Sequence, residues 1–245
     1  MIEAFKNNWR KYLIEAWALG MFMVSAIAFT ILFEYPPFGM PSVIPDAFLR
    51  RMFIALAMGL TAIALIYSKW GKQSGAHMNP AVTLANLHLR KINKQDAVWY
   101  MIAQTMGATF FVFLFRSFLP VITSDATVNY AVTIPGKDGV AIAAFAEFIM
   151  SFILFLTVQF VSNSRHAKYT GCVAGLLVFL FISFEAPLSG MSINPARSFG
   201  SAIVAGVWND FWIYILFPVL GMQAAAFIFV RWKEMQGRKN IIEVL

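Results

Sequence analysis

The chain has 245 residues, of which 60% are hydrophobic, 16% aromatic and 13% charged, with a net charge of +7 and a mean hydropathy of +0.69. A soluble domain carries about 25% charged residues, so a soluble or disordered protein is excluded and a membrane protein is expected. The lone Cys172 excludes a disulfide scaffold, and the Lys and Arg residues fall between apolar blocks rather than along one basic face, which argues against a nucleic-acid partner.

A helix needs about 20 mostly apolar residues to cross a bilayer. Six windows meet this condition, at 12–33, 50–68, 96–116, 141–162, 169–185 and 210–232. Barrel strands would alternate in polarity and be about half as long, and a lone segment in lipid must satisfy its own backbone, so the expected class is an all-α membrane protein. The first window holds Glu15 and lacks a small-residue cleavage site, which reads as a retained anchor rather than a cleaved signal peptide. Segments 74–89 and 189–206 are too short to cross and each follows a span. Residues 117–140, with Pro120, Asp125, Pro135 and Gly136, read as an external linker, and 233–245 as a short basic tail. Glu185 is expected as a solvated acid at the outer mouth, and Cys172 as packed near the start of the fifth span.

Six spans put both termini on one side. That side receives Lys6, Arg10, Lys11, Lys69, Lys72, Arg90, Lys91, Lys94, Arg165, Lys168, Arg231, Lys233, Arg238 and Lys239. The other receives Arg50, Arg51, Arg116 and Lys137, with Arg197 assigned to neither. Fourteen against four predicts cytoplasmic termini in a cell (plasma or inner) membrane.

The two short segments repeat each other. Ser74-Gly75-Ala76-His77-Met78-Asn79-Pro80-Ala81 aligns with Ser189-Gly190-Met191-Ser192-Ile193-Asn194-Pro195-Ala196 at a constant offset of 115, and Thr83 faces Ser198. Glu15 and Glu147 are each the sole acid inside the first span of their half. Three spans per half is an odd number, so the second half must enter the membrane inverted. The expected organisation is a first repeat at 1–116, the linker at 117–140, a second repeat at 141–232 and the tail.

Asn is a strong N-cap and Pro is tolerated at the first helical position, so short helices are predicted over Pro80–Leu89 and Pro195–Gly206. Entering from opposite faces, they meet start to start near the bilayer midplane. Irregular backbone at that depth survives only where it lines a cavity or is buried in protein, so Gly75–Met78 and Gly190–Ile193 are expected to offer carbonyls along a polar path.

These paired motifs resemble the aquaporins, the major intrinsic protein family. The resemblance spans nearly the whole chain, including Gln104 in the third span. It implies six spans with two re-entrant half-helices, an hourglass pore in each subunit, a homotetramer, and passive flow of water or small neutral solutes. It implies that Asn79 and Asn194, in the motifs completed by Pro80, Ala81, Pro195 and Ala196, donate to a passing molecule. It implies that Gly75, Ala76, His77 and Met78, with Gly190, Ser192 and Ile193, present pore carbonyls. Glu15 and Glu147 match loop-anchoring carboxylates, His77 a residue that packs the first loop, and Arg197 the filter arginine. The remaining filter positions fall on Ile182, Met191, and either Met58 or Gly59. Water-selective relatives combine an aromatic, a His and a small residue with that Arg, and this chain has none of the three. Glycerol-conducting relatives carry Asp after the Arg, where this chain has Ser198.

The expected function is a passive water channel that excludes ions and protons. The alternative is a facilitator of small neutral solutes such as glycerol or urea. A coupled transporter or membrane enzyme built on Glu15 and Glu147 is the reading from another class. No metal site, nucleophile–base pair or phosphate loop is visible, so no enzymatic role, metal or cofactor is expected; the expected partners are the solute, the bilayer and further copies of the chain.

Overall fold

The structure, a computed structural model, describes residues 1–242, with side chains through 236. Among the described residues, six helices are long and apolar enough to cross a membrane. They are α1 (Ile2–Glu34), α2 (Ala47–Tyr67), α5 (Lys94–Phe118), α6 (Val140–Ser162), α7 (Thr170–Phe184) and α10 (Trp212–Ile242). Between them lie the short α3 (Lys69–Ser74) and α4 (Pro80–His88) in the first half, and α8 (Ala186–Ser189) and α9 (Pro195–Ala205) in the second. Of the tail expected at 233–245, residues through Ile242 continue α10, and 243–245 lie outside the described residues.

The repeat is visible in the packing. α1 packs on α5 as α6 packs on α10, and α4 packs on α10 as α9 packs on α5. The pair α2 and α7 is its own counterpart: a Cβ at Gly59 would meet the Gly175 carbonyl at 2.6 Å, and one at Gly175 would meet that of Gly59. Any larger residue at either position would wedge the two helices apart. Gly59 therefore faces a helix and does not line the cavity described below, which corrects its candidacy as a filter residue.

Contacts among the loops define two faces. On one, Asn8 donates to Asp96, Lys91 to Gln159 and Lys233 to Asn163, gathering the N-terminal end of α1 with the last turns of α10. On the other, Arg50 pairs with Glu34 at 3.0 Å and Arg51 donates to the Ser183 carbonyl at 2.9 Å. The expected linker is more than a connection. Tyr130 is buried against α1 and α5, its carbonyl accepts from Ser201 at 2.9 Å, and Thr133 meets Ser198 at 2.6 Å.

Two polar residues differ from expectation. Both carboxylate oxygens of Glu185, at the turn into α8, are buried and have no hydrogen-bond partner among the described residues. Cys172 is exposed rather than packed, with its sulfur 3.7 Å from the Tyr67 hydroxyl.

Candidate functional site: a pore between two opposed loops

Each half builds its loop in the same way. Asn79 caps α4 by accepting from the Ala81 N–H at 2.8 Å, and Asn194 caps α9 by accepting from Ala196 and Arg197 at 3.1 and 3.2 Å. Just before each cap the backbone is left-handed at two non-glycine residues, Ala76 and Met78 (φ 47° and 48°) and Met191 and Ile193 (φ 51° and 48°). Such conformations cost about 1 kcal/mol or more each and persist only where the surroundings impose them.

The buried carboxylates impose them. Glu15 accepts from the N–H groups of His77 and Met78 at 3.0 and 2.6 Å and from the Ser74 hydroxyl at 2.7 Å. Glu147 accepts from Ser192 and Ile193 at 2.7 and 2.6 Å and from Ser189 at 2.7 Å. With the loop N–H groups turned onto a carboxylate, the loop residues present themselves to the cavity. Around the carboxylates the halves differ: Gln104 donates a further bond to Glu15 at 2.8 Å, whereas Pro218 occupies the corresponding place on α10.

Each loop is closed from behind by a tyrosine. Tyr100 donates to the Ser74 carbonyl and Tyr214 to the Ser189 carbonyl, both at 2.7 Å. The sequence reading passed over this pair, although the two stand 114 residues apart, almost the loop offset, and that spacing was the available signal. His77 joins Thr83 and Asn86 through its two ring nitrogens, each at 3.1 Å, so its ring ties the first loop to α4. Ser192, its counterpart, reaches Ser198 at 2.5 Å.

The asparagines then cross-link the halves. The Asn79 amide donates to the Ile193 carbonyl and the Asn194 amide to the Met78 carbonyl, both at 2.7 Å. Each amide has a second N–H left. Two of the expected pore carbonyls are thus already accepting a bond, and only their second lone pairs are free. Pro80, Ala81, Pro195 and Ala196 are buried off the path and set the helix starts.

A cavity of about 730 Å³ runs past both loops. Its walls reach from Glu34, Arg51 and Thr127 at one end to Lys91, Gln159 and Ser162 at the other. Gly75, Ala76, His77, Met78 and Asn79 line it, as do Gly190, Met191, Ser192, Ile193 and Asn194. Met58, Ile182, Met191 and Arg197 all line it too, and Met58 and Met191 share one apolar cluster. The Arg197 Nη1 is buried and has no hydrogen-bond partner among the described residues, so it is an unspent donor. Val128, Asn129 and Ala131 of the linker also form part of the wall, which composition alone did not signal.

A cavity lined by two opposed helix starts, held by an inverted repeat, fits a channel architecture. The family model for the major intrinsic proteins matches residues 3–229. The chain belongs to this family. Members of the major intrinsic protein family are channels. The chain is 37% identical over 178 residues to glycerol uptake facilitator protein-like 6 of Lactiplantibacillus plantarum, covering 71% of this chain and 82% of that protein. It is 33% identical to aquaporin NIP3-1 of Arabidopsis thaliana over 72% of its own length, and spans only 55% of that longer protein. In structure it resembles the aquaglyceroporin of Plasmodium falciparum, with a TM-score of 0.77 at 20% identity, over 90% of this chain and 94% of the other. At that identity the likeness speaks for the fold of the family alone.

Proposed function

We propose that this major intrinsic protein conducts water passively and excludes ions and protons. The observation that carries the reading is the donor arrangement: Asn79 and Asn194 each keep one amide N–H beyond the bond across the loops, and Arg197 keeps an unspent N–H. Water gives up hydrogen bonds on entering and recovers them from these donors and the loop carbonyls. An ion needs a full shell of ligands, which this wall does not supply, and cations also meet Arg197 and two helix starts of about half a positive charge each. No enzymatic step or cofactor is required.

A second reading has its own support. Met58, Ile182 and Met191 make three sides of the filter apolar, leaving Arg197 as the charged one. Such a wall suits a small neutral solute with an apolar edge and hydrogen-bonding groups, such as glycerol or urea, and a glycerol uptake facilitator-like protein stands among the relatives.

Stopped-flow light scattering on liposomes holding the pure protein tests both. Rapid shrinkage in sucrose without recovery in glycerol or urea supports water alone; recovery supports the solute reading. Transport that depends on a proton or sodium gradient would overturn both. The basic face that bears the termini is assigned to the cytoplasm of a plasma or inner membrane. Exposed apolar side chains along the spans, such as Leu56, Leu60, Leu176 and Leu180, are assigned to lipid and to neighbouring copies in a homotetramer.

A further inference from the structure

Among the described residues, the formally charged side chains that line the cavity are Glu34, Arg51, Lys91 and Arg197. Glu34 is paired with Arg50, and Arg197 belongs to the filter. Lys91 stands at the opposite end, where no carboxylate of the described residues lines the wall. Its place is built rather than accidental. The chain turns at Arg90, a non-glycine residue with φ 56°, and the Lys91 N–H returns to the Asn86 carbonyl at 2.9 Å. Asn86 is itself tied to His77, so the turn is continuous with the first loop. The Lys91 ammonium donates to the Gln159 Oε1 at 2.6 Å, and Gln159 is only 3% exposed on α6. A neutral amide holds the ammonium without cancelling its charge.

We propose that Lys91 is a specificity-determining residue, a fixed cation at the cytoplasmic mouth that repels cations there independently of Arg197 at the far end. This rests on the channel reading and its orientation given above. Exclusion is then two-sided, so a cation driven outward meets a barrier before it reaches the loops.

The rival role is mechanical, a tether between the first half and α6. The test separates charge from tether. In a Cys172→Ser background, Ser162→Cys places a thiol in the wall one turn beyond Gln159. Anionic and cationic methanethiosulfonate reagents then report the local field by their relative reaction rates. Lys91→Arg is expected to keep the anion-to-cation rate ratio, Lys91→Gln to lower it by about five-fold, and Lys91→Glu to lower it further. Glu can still accept a bond from the Gln159 amide, so this variant keeps a tether while reversing the charge. In liposomes, Arg197→Val/Lys91→Glu is expected to leak potassium and protons faster than Arg197→Val alone. A thiol ratio unchanged across Lys, Gln and Glu, or a double variant no leakier than the single one, overturns the proposal. Water flow in the same liposomes, with the native outward order of permeation, distinguishes this failure from failure of the channel reading itself.

Discussion

The Asn194 amide, at the start of the helix in the second half, donates to the Met78 carbonyl in the first half at 2.7 Å. The reciprocal bond runs from Asn79 to the Ile193 carbonyl at the same distance. Two chain segments more than a hundred residues apart are thereby locked together beside the cavity. The residues that cap the helices are the ones that join the halves.

Asn194→Asp tests that double duty. Aspartate still caps α9 but cannot donate to Met78, and it sets an anion beside a carbonyl. The variant is expected to lose about 1–3 kcal/mol of stability and to raise cation leak. Thermal unfolding in detergent and a potassium-flux measurement check the two effects.

Glu15→Gln and Glu147→Gln should each disturb a strained loop, because an amide has one acceptor oxygen where the carboxylate uses two. A loss of about 3–5 kcal/mol is expected on removing such a buried acceptor, with water permeability falling in parallel. Melting temperatures of purified protein together with stopped-flow rates decide it. Retained stability in both variants would sink the anchoring role.

Met58 and Gly59 are adjacent but face different ways. Met58→Phe is expected to slow glycerol or urea more than water while leaving the fold intact, because Met58 lines the cavity. Gly59→Ala is expected to destabilise by about 1–3 kcal/mol without a selective effect, since its Cβ would press on Gly175. Permeability ratios for the first and detergent melting for the second provide the comparison.

Glu185, just past the end of α7, has its carboxyl pushed up to about 8 by burial, and nearby Glu147 adds to it. In the unfolded chain the group ionises in the ordinary carboxylate range. Stability from this site is therefore unaffected at pH 4, falls as pH rises toward 8, and stays low above it. Glu185→Gln should accordingly gain most in melting temperature over the native protein at pH 8–9 and little at pH 4. A pH-independent difference would contradict the burial argument.

Much of the channel can be read without coordinates because membrane solvation leaves few options. Twenty apolar residues in lipid become a helix, and an odd number of spans per half forces inversion. The paired Asn-Pro motifs mark the helix starts at Pro80 and Pro195, where they stand, and the ends to within one residue. Pairings across the repeat are harder to read, since Tyr100, Tyr214 and Gln159 look like ordinary residues of apolar helices.

Composition told of a membrane, and the placement of the +7 is what the proposed orientation rests on. The sequence by itself determined the number of spans, the inverted repeat and the four polar residues, Glu15, Glu147, Asn79 and Asn194, around which the loops are built. These are local or periodic properties, set by hydropathy and by capping. Only the tertiary structure decided that Met58 and not Gly59 meets the cavity, that the Glu185 carboxylate oxygens are buried, and that Lys91 stands at its end. Each depends on the rotation of one helix against another or on a single left-handed turn, and a shift of one residue, about 100° around a helix, reverses the answer.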